Sequence, residues 1–386
     1  MTSPILLSYA FRPFFLLAAT WAAIGLVSWY ALLLGISWPG APSNIVFWHI
    51  HEMVFGFVGA AMAGFLLTAV ATWTSRPPVR GVALGILVAT WLLGRFVSAF
   101  SGDLAPAIVI PVEMSFPILL FFLFAREVLA ARNRRNYMLL FFVGLFPLVD
   151  LAYLLGVHDT PLPTLSWATY FLPHLVVLLI TIIGGRITPA FTGNWLRAKG
   201  DDRMPKIRPW LDMTALVATL AVGLADSLLP LSTITGVLAL ATALAHGLRL
   251  AGWRGLATLK EPLLFVLHVG YGWIVIGYLM LAGASFLEGL PSSSAFHAIT
   301  VGAIGTMVLA VMSRVSLGHS GRKLHASTLT VCCYVAVTIA ALARIAAPLS
   351  GGGYALLIEV SAVAWIAAFA GFLLAYWAVL TKPRID

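Results

Sequence analysis

Apolar runs follow one another along nearly the whole chain, and only short polar breaks separate them. A hydrocarbon core of ~30 Å requires about 20 apolar residues for each crossing helix. The pattern predicts twelve helices, at residues 14–35, 46–73, 80–100, 105–126, 137–156, 164–184, 211–230, 232–249, 262–283, 296–316, 326–347 and 354–380. The runs are continuous and lack the period-two alternation of a membrane β-barrel. We therefore expect an all-α polytopic membrane protein, a bundle of about twelve transmembrane helices forming one domain of residues 1–386.

The composition supports a protein embedded in a membrane. Hydrophobic residues make up 61% of the 386 residues and charged residues only 10%, whereas soluble domains average about 25% charged residues. The polar breaks are too short to hold a separate soluble domain. The lipid bilayer is therefore the expected environment of nearly every helix.

The positive charges are distributed asymmetrically between the two ends of the predicted helices. All Lys and Arg residues except Arg95 and Arg344 lie in the terminal segments or near the loops that follow even-numbered helices. Lys and Arg flanking membrane helices are retained in the cytoplasm, so both termini are predicted to be cytoplasmic. The net charge of +9 follows from this asymmetry and favours contact with anionic lipid over nucleic-acid binding.

Histidines are the main candidates for chemistry within the membrane. The stretch "FWHIHEMVFGF" (47–57) places His49, His51 and Glu52 at the outer end of the second predicted helix. The tenth helix begins with His297 at a similar depth. Further candidates are His174 and His268, within the sixth and ninth helices, and His319, in the loop after the tenth.

Imidazole is the commonest metal ligand in proteins, and two histidines from different helices could bind a haem iron from both sides. His49 with His297, or His51 with His297, is the expected outer pair. Helical spacing places His49, Glu52 and Met53 on one face and His51 on another. Imidazole with thioether suits copper. The alternative is that these histidines serve packing and interhelical hydrogen bonds.

Other charged residues lie in or near the predicted helices. Four carboxylates lie at or near membrane depth: Glu113, Asp150, Asp226 and Glu359. Because a charge is costly in lipid, we expect these carboxylates to pair with Arg95 or Arg344 rather than to form a proton path. Arg186 and Arg314 lie in "GGRITPAFTGNW" (184–195) and "MSRVSLGHSGR" (312–322). Each is predicted to anchor a glycine-containing helix end at the interface, or else to bind haem propionates bidentately.

Five segments together resemble the NnrS family of bacterial membrane proteins. They are "AFRPFFLLAA" (10–19), "WHIHEMVFGF" (48–57), "GFLLTAVATWT" (64–74), "GGRITPAFTGN" (184–194) and "HAITVGAIGTMVLAVMSRVSLGHSGR" (297–322). The resemblance implies a multi-pass inner-membrane protein that contains haem b and copper and is associated with denitrification and nitrosative-stress resistance. The motif histidines carried over are His49, His51, His297 and His319, with Glu52, Arg186 and Arg314 as companions. His174 and His268 are added from depth and chemistry. "ATWTSRPP" departs from the family pattern in a loop.

The function expected from these observations is haem-dependent binding and reduction of nitric oxide. Nitric oxide partitions into lipid, and its reduction consumes protons and electrons. Glu52 is the expected proton donor, and the electron donor is unknown. Two alternatives stay open: a secondary transporter that uses intramembrane His and Glu side chains, and a haem-based nitric oxide sensor without turnover.

Overall fold

A computed structural model describes residues 4–158 and 164–385 of the chain. Within these residues the protein is helical and contains no β-strand. Twelve helices there are long and apolar enough to cross a membrane, as the hydropathy pattern predicts. They are α1 (Phe11–Leu33), α2 (Ile45–Thr74), α3 (Val82–Ala99), α4 (Pro106–Ala130), α5 (Arg134–Val157), α6 (Leu165–Ala198), α7 (Pro209–Leu228), α8 (Thr233–Ala251), α9 (Pro262–Phe286), α10 (Ser292–His319), α11 (Thr328–Leu349) and α12 (Gly351–Thr381).

The largest error in the predicted helix ends is at the end of α6. Helix α6 was expected to stop near residue 184 at paired glycines, but it continues to Ala198. A glycine ends a helix when it adopts the left-handed conformation, and the first glycine of this region to do so is Gly200, with φ +72°. At 1.5 Å per residue, the 34 residues of α6 extend about 50 Å, well beyond a ~30 Å hydrocarbon core. Arg186 therefore lies within a helix and not in a loop.

The chain divides into two compact units, which we describe separately. The first unit comprises Met1–Ala168, Met312–Lys323 and Phe369–Asp386. In this unit the start of α1 is attached by hydrogen bonds. The backbone N–H of Phe11 donates to the Thr68 hydroxyl at 3.0 Å, and the guanidinium of Arg12 donates to the carbonyls of Leu380 and Lys382.

The second unit comprises Thr169–Val311 and Leu324–Ala368. Glycines bring its helices close together. A Cβ atom placed on Gly302 would lie 2.7 Å from the Trp273 ring, and one on Gly270 would lie 2.9 Å from Met307. Small residues at such positions allow close helix packing in a membrane, where lipid is as apolar as the helix surface and packing supplies much of the attraction.

Candidate functional site

Both histidine motifs adjoin a rare backbone conformation. Helix α2 begins at an Asn44 cap, whose side chain accepts from the Phe47 N–H at 3.1 Å. It changes from α to π geometry over Glu52–Val58. Helix α10 changes in the same way over Ala298–Gly305, directly after His297. Well under 1% of residues in proteins are π-helical, and such segments are frequent at functional sites.

The side chains of the first motif lie in two different surroundings. His49 stacks on Trp29 of α1, with ring centroids 4.5 Å apart. A Cβ on Gly25 of the same helix would lie 3.1 Å from the terminal carbon of Met53. The predicted face of His49 and Met53 is therefore confirmed. The grouping of Glu52 with that face is wrong, because Glu52 hydrogen-bonds the neighbouring His51.

His51 lies at the centre of a buried charged cluster in the first unit. Its Nδ1 is 3.1 Å from Glu52 Oε1, and its Nε2 is 3.1 Å from Asp150 Oδ1. The Arg95 guanidinium bonds Glu52 at 2.5 Å and also bonds Glu113. Helices α2, α3, α4 and α5 therefore each contribute a charged side chain to one site, which we call the charged cluster: His51, Glu52, Arg95, Glu113 and Asp150.

Neutral groups complete the surroundings of the charged cluster. The Ser98 hydroxyl donates to Glu52 Oε1 at 2.6 Å. The ring of Tyr153 stacks on His51 at 5.9 Å, and its hydroxyl donates to the Phe47 carbonyl at 2.8 Å. The indole of Trp91 donates to the Gly56 carbonyl at 3.0 Å, inside the π segment where the regular helical ladder is interrupted. These contacts hold the cluster residues in defined orientations.

The charges of the cluster do not balance. Its three carboxylates face one guanidinium and one imidazole, so a negative charge remains even when the imidazole is protonated. One oxygen on each carboxylate has no hydrogen-bond partner within the described part of the chain: Glu52 Oε2, Glu113 Oε1 and Asp150 Oδ2. A net charge is costly in a low-dielectric interior. The site therefore favours uptake of a proton or a metal cation.

The donor set of the cluster also suits a metal ion. Ligand atoms of His51, Glu52 and Glu113 all lie within 4.8 Å of one another. One imidazole and two carboxylates make a mixed nitrogen and oxygen site of the kind that binds first-row transition metals. Arg95 already bonds both glutamates, so a bound cation would have to displace part of that ion pairing.

The predicted pairing of the intramembrane acidic residues is only partly right. Glu113 pairs with Arg95 as expected. Asp150 and Asp226 instead take histidines as direct partners, His51 and His174 respectively. The sequence shows which charges lie at membrane depth, but the rotation of each helix decides which partner each charge meets.

The two remaining candidates for the outer haem pair lie in different units, and their pairing stays a prediction. His297 in the second unit is half-buried. Its Nδ1 donates to the Ser293 carbonyl at 2.6 Å, which places the proton on Nδ1 and leaves the lone pair on Nε2. Metal-bound histidines commonly have this arrangement. His49, also half-buried, is held by its stack on Trp29.

Other predicted haem ligands lie in less suitable surroundings. Both ring nitrogens of His174 are hydrogen-bonded, to Tyr278 at 3.0 Å and to Asp226 at 3.2 Å. The Nε2 of His268 lies 2.9 Å from the Thr192 hydroxyl. A Cβ on Gly255 would lie 2.8 Å from its Nδ1, so the backbone covers that nitrogen. A macrocycle could reach neither histidine without rearrangement.

The other motif residues lie at the ends or in the bodies of helices. His319 was predicted in a loop, but it is the last residue of α10 and lies against Phe11, with ring centroids 5.9 Å apart. The glycine that follows in left-handed conformation is Gly321, with φ +74°. Arg186 and Arg314 are half-buried within α6 and α10. Their proposed contact with haem propionates stays a prediction.

The charged cluster includes residues that the motif reading did not assign to the site. Arg95, Glu113 and Asp150 attracted attention only as intramembrane charges, and no motif connects them to His51.

Compared with known proteins, the chain matches the family model described as NnrS protein over residues 5–384. No curated protein matches it.

Proposed function

The chain belongs to the NnrS family, and we propose that it is a bacterial inner-membrane protein that binds haem b and copper and reduces nitric oxide in defence against nitrosative stress. The family and the twelve membrane helices fit a multi-pass membrane protein of the nitric oxide response. The observation that carries the proposal further is the charged cluster, because nitric oxide reduction requires protons within an apolar layer.

Glu52 is the proposed proton donor of the site. It is fully buried, and through one oxygen it contacts the imidazole and guanidinium of the cluster and the neighbouring Ser98 hydroxyl. Its second oxygen has no partner among the described residues. A carboxyl group in this position can hold a proton on that second oxygen and release it, while the network keeps the side chain in place.

Haem and copper fit different residues of the chain. His297, with its proton on Nδ1, and His49 are each proposed as a haem ligand within its own unit. His51 with Glu52 and Glu113 would hold a second metal, for which copper is the proposed ion. When bound, these groups supply the gas affinity and the one-electron chemistry that side chains lack. The chain's own residues position the groups and deliver protons.

The absorption spectrum of the detergent-purified protein, oxidised and reduced, tests the cofactor proposal. We expect a Soret band that is lost in His297→Ala or His49→Ala, together with copper by elemental analysis. A protein with neither haem nor copper would refute the metalloprotein and favour a transporter, for which the surplus negative charge of the cluster would bind the coupling cation.

A nitric oxide electrode with a chemical reductant tests the proton donor. Glu52→Gln keeps the shape of the side chain but cannot release a proton, so we expect a roughly hundredfold slower consumption of nitric oxide with both the haem and the copper content retained. Glu127→Gln is the matched control, because Glu127 is a buried carboxylate of the same unit that bonds Arg76 and Arg126 outside the cluster. Equal rates in both variants would remove Glu52 from the reaction, and binding without turnover in the unaltered protein would indicate a sensor.

A further inference from the structure

The second unit contains a series of polar side chains, hydrogen-bonded in two groups that meet at Tyr278 and Thr219, and the proposed function does not use it. Helices α6, α7, α8 and α9 each contribute to it. All but one of its members are buried, the exception being a half-exposed aspartate at one end. We call it the hydrogen-bonded chain; in order, it consists of Asp226, His174, Tyr278, Thr219, His246, Tyr271, Arg249 and Asp212.

The first half of this chain centres on Tyr278. The Nε2 of His174 lies 3.2 Å from Asp226 Oδ2, and its Nδ1 lies 3.0 Å from the Tyr278 hydroxyl. The imidazole and phenol rings stack at 5.6 Å. The Tyr278 ring also stacks on the ring of His246, with centroids 6.1 Å apart, and its hydroxyl lies within interaction range of the Thr219 hydroxyl. A proton can therefore be passed through hydrogen bonds from the carboxylate to Tyr278, and a single step separates that phenol from the Thr219 hydroxyl.

The second half continues from Thr219 to the end of α8. The Nε2 of His246 lies 2.9 Å from the Thr219 hydroxyl, and its Nδ1 lies 2.7 Å from the Tyr271 hydroxyl. Arg249 donates to the Tyr271 hydroxyl at 2.7 Å and to Asp212 at 2.6 Å. The carboxylate of Asp212 is the only member of the hydrogen-bonded chain with substantial exposure, 31% of its side chain.

The members follow the long axis of the helices. Asp212, Thr219 and Asp226 occupy positions seven residues apart on α7, and Tyr271 and Tyr278 are likewise seven apart on α9. Residues at this spacing share one helical face. The 14 positions between the two aspartates correspond to a rise of about 21 Å. That distance is most of a ~30 Å hydrocarbon core.

Two glycines make room for two side chains of this series, the imidazole of His174 and the guanidinium of Arg249. A Cβ on Gly223 would lie 2.8 Å from the Cβ of His174, and a Cβ on Gly185 would overlap the Arg249 guanidinium. The "GG" of the segment "GGRITPAF" therefore provides space inside the unit and not a helix stop. The glycine backbone lies close against each of these two side chains and restricts its position.

The chemical types of the members decide what the series can do. Imidazole, phenol, threonine hydroxyl and carboxyl groups can each donate and accept a hydrogen bond, so each can pass on a proton. A guanidinium group has no acceptor site and does not lose its proton. Proton transfer along the series can therefore reach Tyr271 from Asp226 but stops at Arg249. At the other end, Asp226 Oδ1 is buried without a partner among the described residues.

We propose that the side chains from Asp226 to Tyr271 form a proton path through the apolar layer, and that Arg249, paired with Asp212, closes it at one end. Ionisable side chains linked in this way within membrane helices are characteristic of proton relays. The inference does not depend on haem, copper or nitric oxide. The groups that face the path are those of the hydrogen-bonded chain itself, and the only fixed positive charge among them is Arg249.

Proton flux into proteoliposomes tests the path. The full chain is reconstituted into vesicles that contain a pH-sensitive dye, and a potassium gradient with valinomycin supplies the driving potential. The unaltered protein should show no flux above protein-free vesicles. Arg249→Met removes the charge that closes the path, so we expect roughly a tenfold or larger rise in the acidification rate. Failure of a monodisperse Arg249→Met variant to conduct would overturn the proposal.

A matched pair of threonines shows whether the flux follows the proposed route. Thr219 and Thr242 are both buried, and each hydroxyl donates to the carbonyl four residues earlier at 2.7 Å. Of these two threonines, only Thr219 belongs to the hydrogen-bonded chain, where its hydroxyl also bonds His246. In the Arg249→Met background, Thr219→Val should abolish the flux and Thr242→Val should leave it unchanged. Equal flux in both would overturn the route.

A second pair of variants guards against misfolding and a general leak. If Arg249→Met aggregates, Arg249→Met with Asp212→Asn removes the unpaired carboxylate as well and tests the same opening. Adding Asp226→Asn to either opened variant should eliminate proton flux, because the amide cannot accept the proton. A flux that persists after Asp226→Asn would refute the proposed end of the path.

Discussion

Arg95 offers the most direct test of the charged cluster, because among the described residues it is the only arginine bonded to two of its carboxylates. Its side chain is 5% exposed and it bonds Glu52 and Glu113, which are also buried. Replacing Arg95 with Met keeps a similar length but leaves two buried carboxylates without their counter-charge. Breaking a buried pair in this way typically costs about 3–5 kcal/mol. We therefore expect a large loss of stability.

Thermal unfolding in detergent, followed by size-exclusion chromatography of heated samples, measures this loss. At ~2 °C for each kcal/mol in a chain of this size, Arg95→Met should lower the Tm by about 6–10 °C. The matched control is Arg76→Met. Arg76 bonds Glu127 through a side chain that is 40% exposed, and exposed pairs contribute about 0–1 kcal/mol. Its expected Tm change is about 2 °C or less.

A double variant separates lost charge compensation from lost packing. Arg95→Met with Glu113→Gln removes one of the uncompensated carboxylates, so its Tm should recover part of the loss. Contacting residues of one network are expected to be non-additive by about 0.5–3 kcal/mol. Two results would refute the reasoning: a Tm for Arg95→Met equal to that of Arg76→Met, or no recovery in the double variant.

Three further predictions concern positions outside the charged cluster. Gly185→Ala should lower the Tm measured by thermal unfolding, because its Cβ would overlap a guanidinium. Gly247→Ala is the control, since its Cβ would make only an ordinary contact at 3.7 Å. Its Tm should stay unchanged or rise through the helix propensity of alanine. Asn44→Ala removes the cap of α2 and should cost about 0.5–2 kcal/mol by the same assay. Hydrogen bonds from Arg203 lower the pKa of Asp201 to about 2. Their contribution to folding stability should therefore be complete above the unfolded pKa of ~4 and lost as the pH falls through about 2. An NMR titration of the carboxyl carbon checks this, and an ordinary pKa would contradict the pairing.

Sequence reasoning identified the helices because their signal is local. A run of apolar residues identifies a membrane helix whatever its neighbours are, and all twelve predicted helices are confirmed. The end of α6 was missed because a glycine pair does not reveal its own backbone conformation. Gly184 and Gly185 stay helical, and Gly200 takes the left-handed conformation that ends the helix. The family was likewise recognised from short motifs.

Sequence reasoning was less successful at the candidate site. It singled out His51 and Glu52 from their motif, and it marked Arg95, Glu113 and Asp150 as charges at membrane depth. It separated Glu52 from His51 because it grouped residues by helical spacing alone, whereas the side chains of these two neighbours hydrogen-bond each other. The sequence therefore did not show that the motif contacts the three helices that carry Arg95, Glu113 and Asp150.

The sequence by itself determined the membrane class, the number of helices, the family and the set of polar residues that the apolar layer must accommodate. These properties depend on residue type and spacing along the chain, which the sequence states directly. Only the tertiary structure decided that Asp150 meets His51, that Asp226 meets His174, and that Gly185 makes room for Arg249. A side chain's partner depends on the rotation and closeness of helices that lie far apart in sequence, and those follow from the packing of the whole unit.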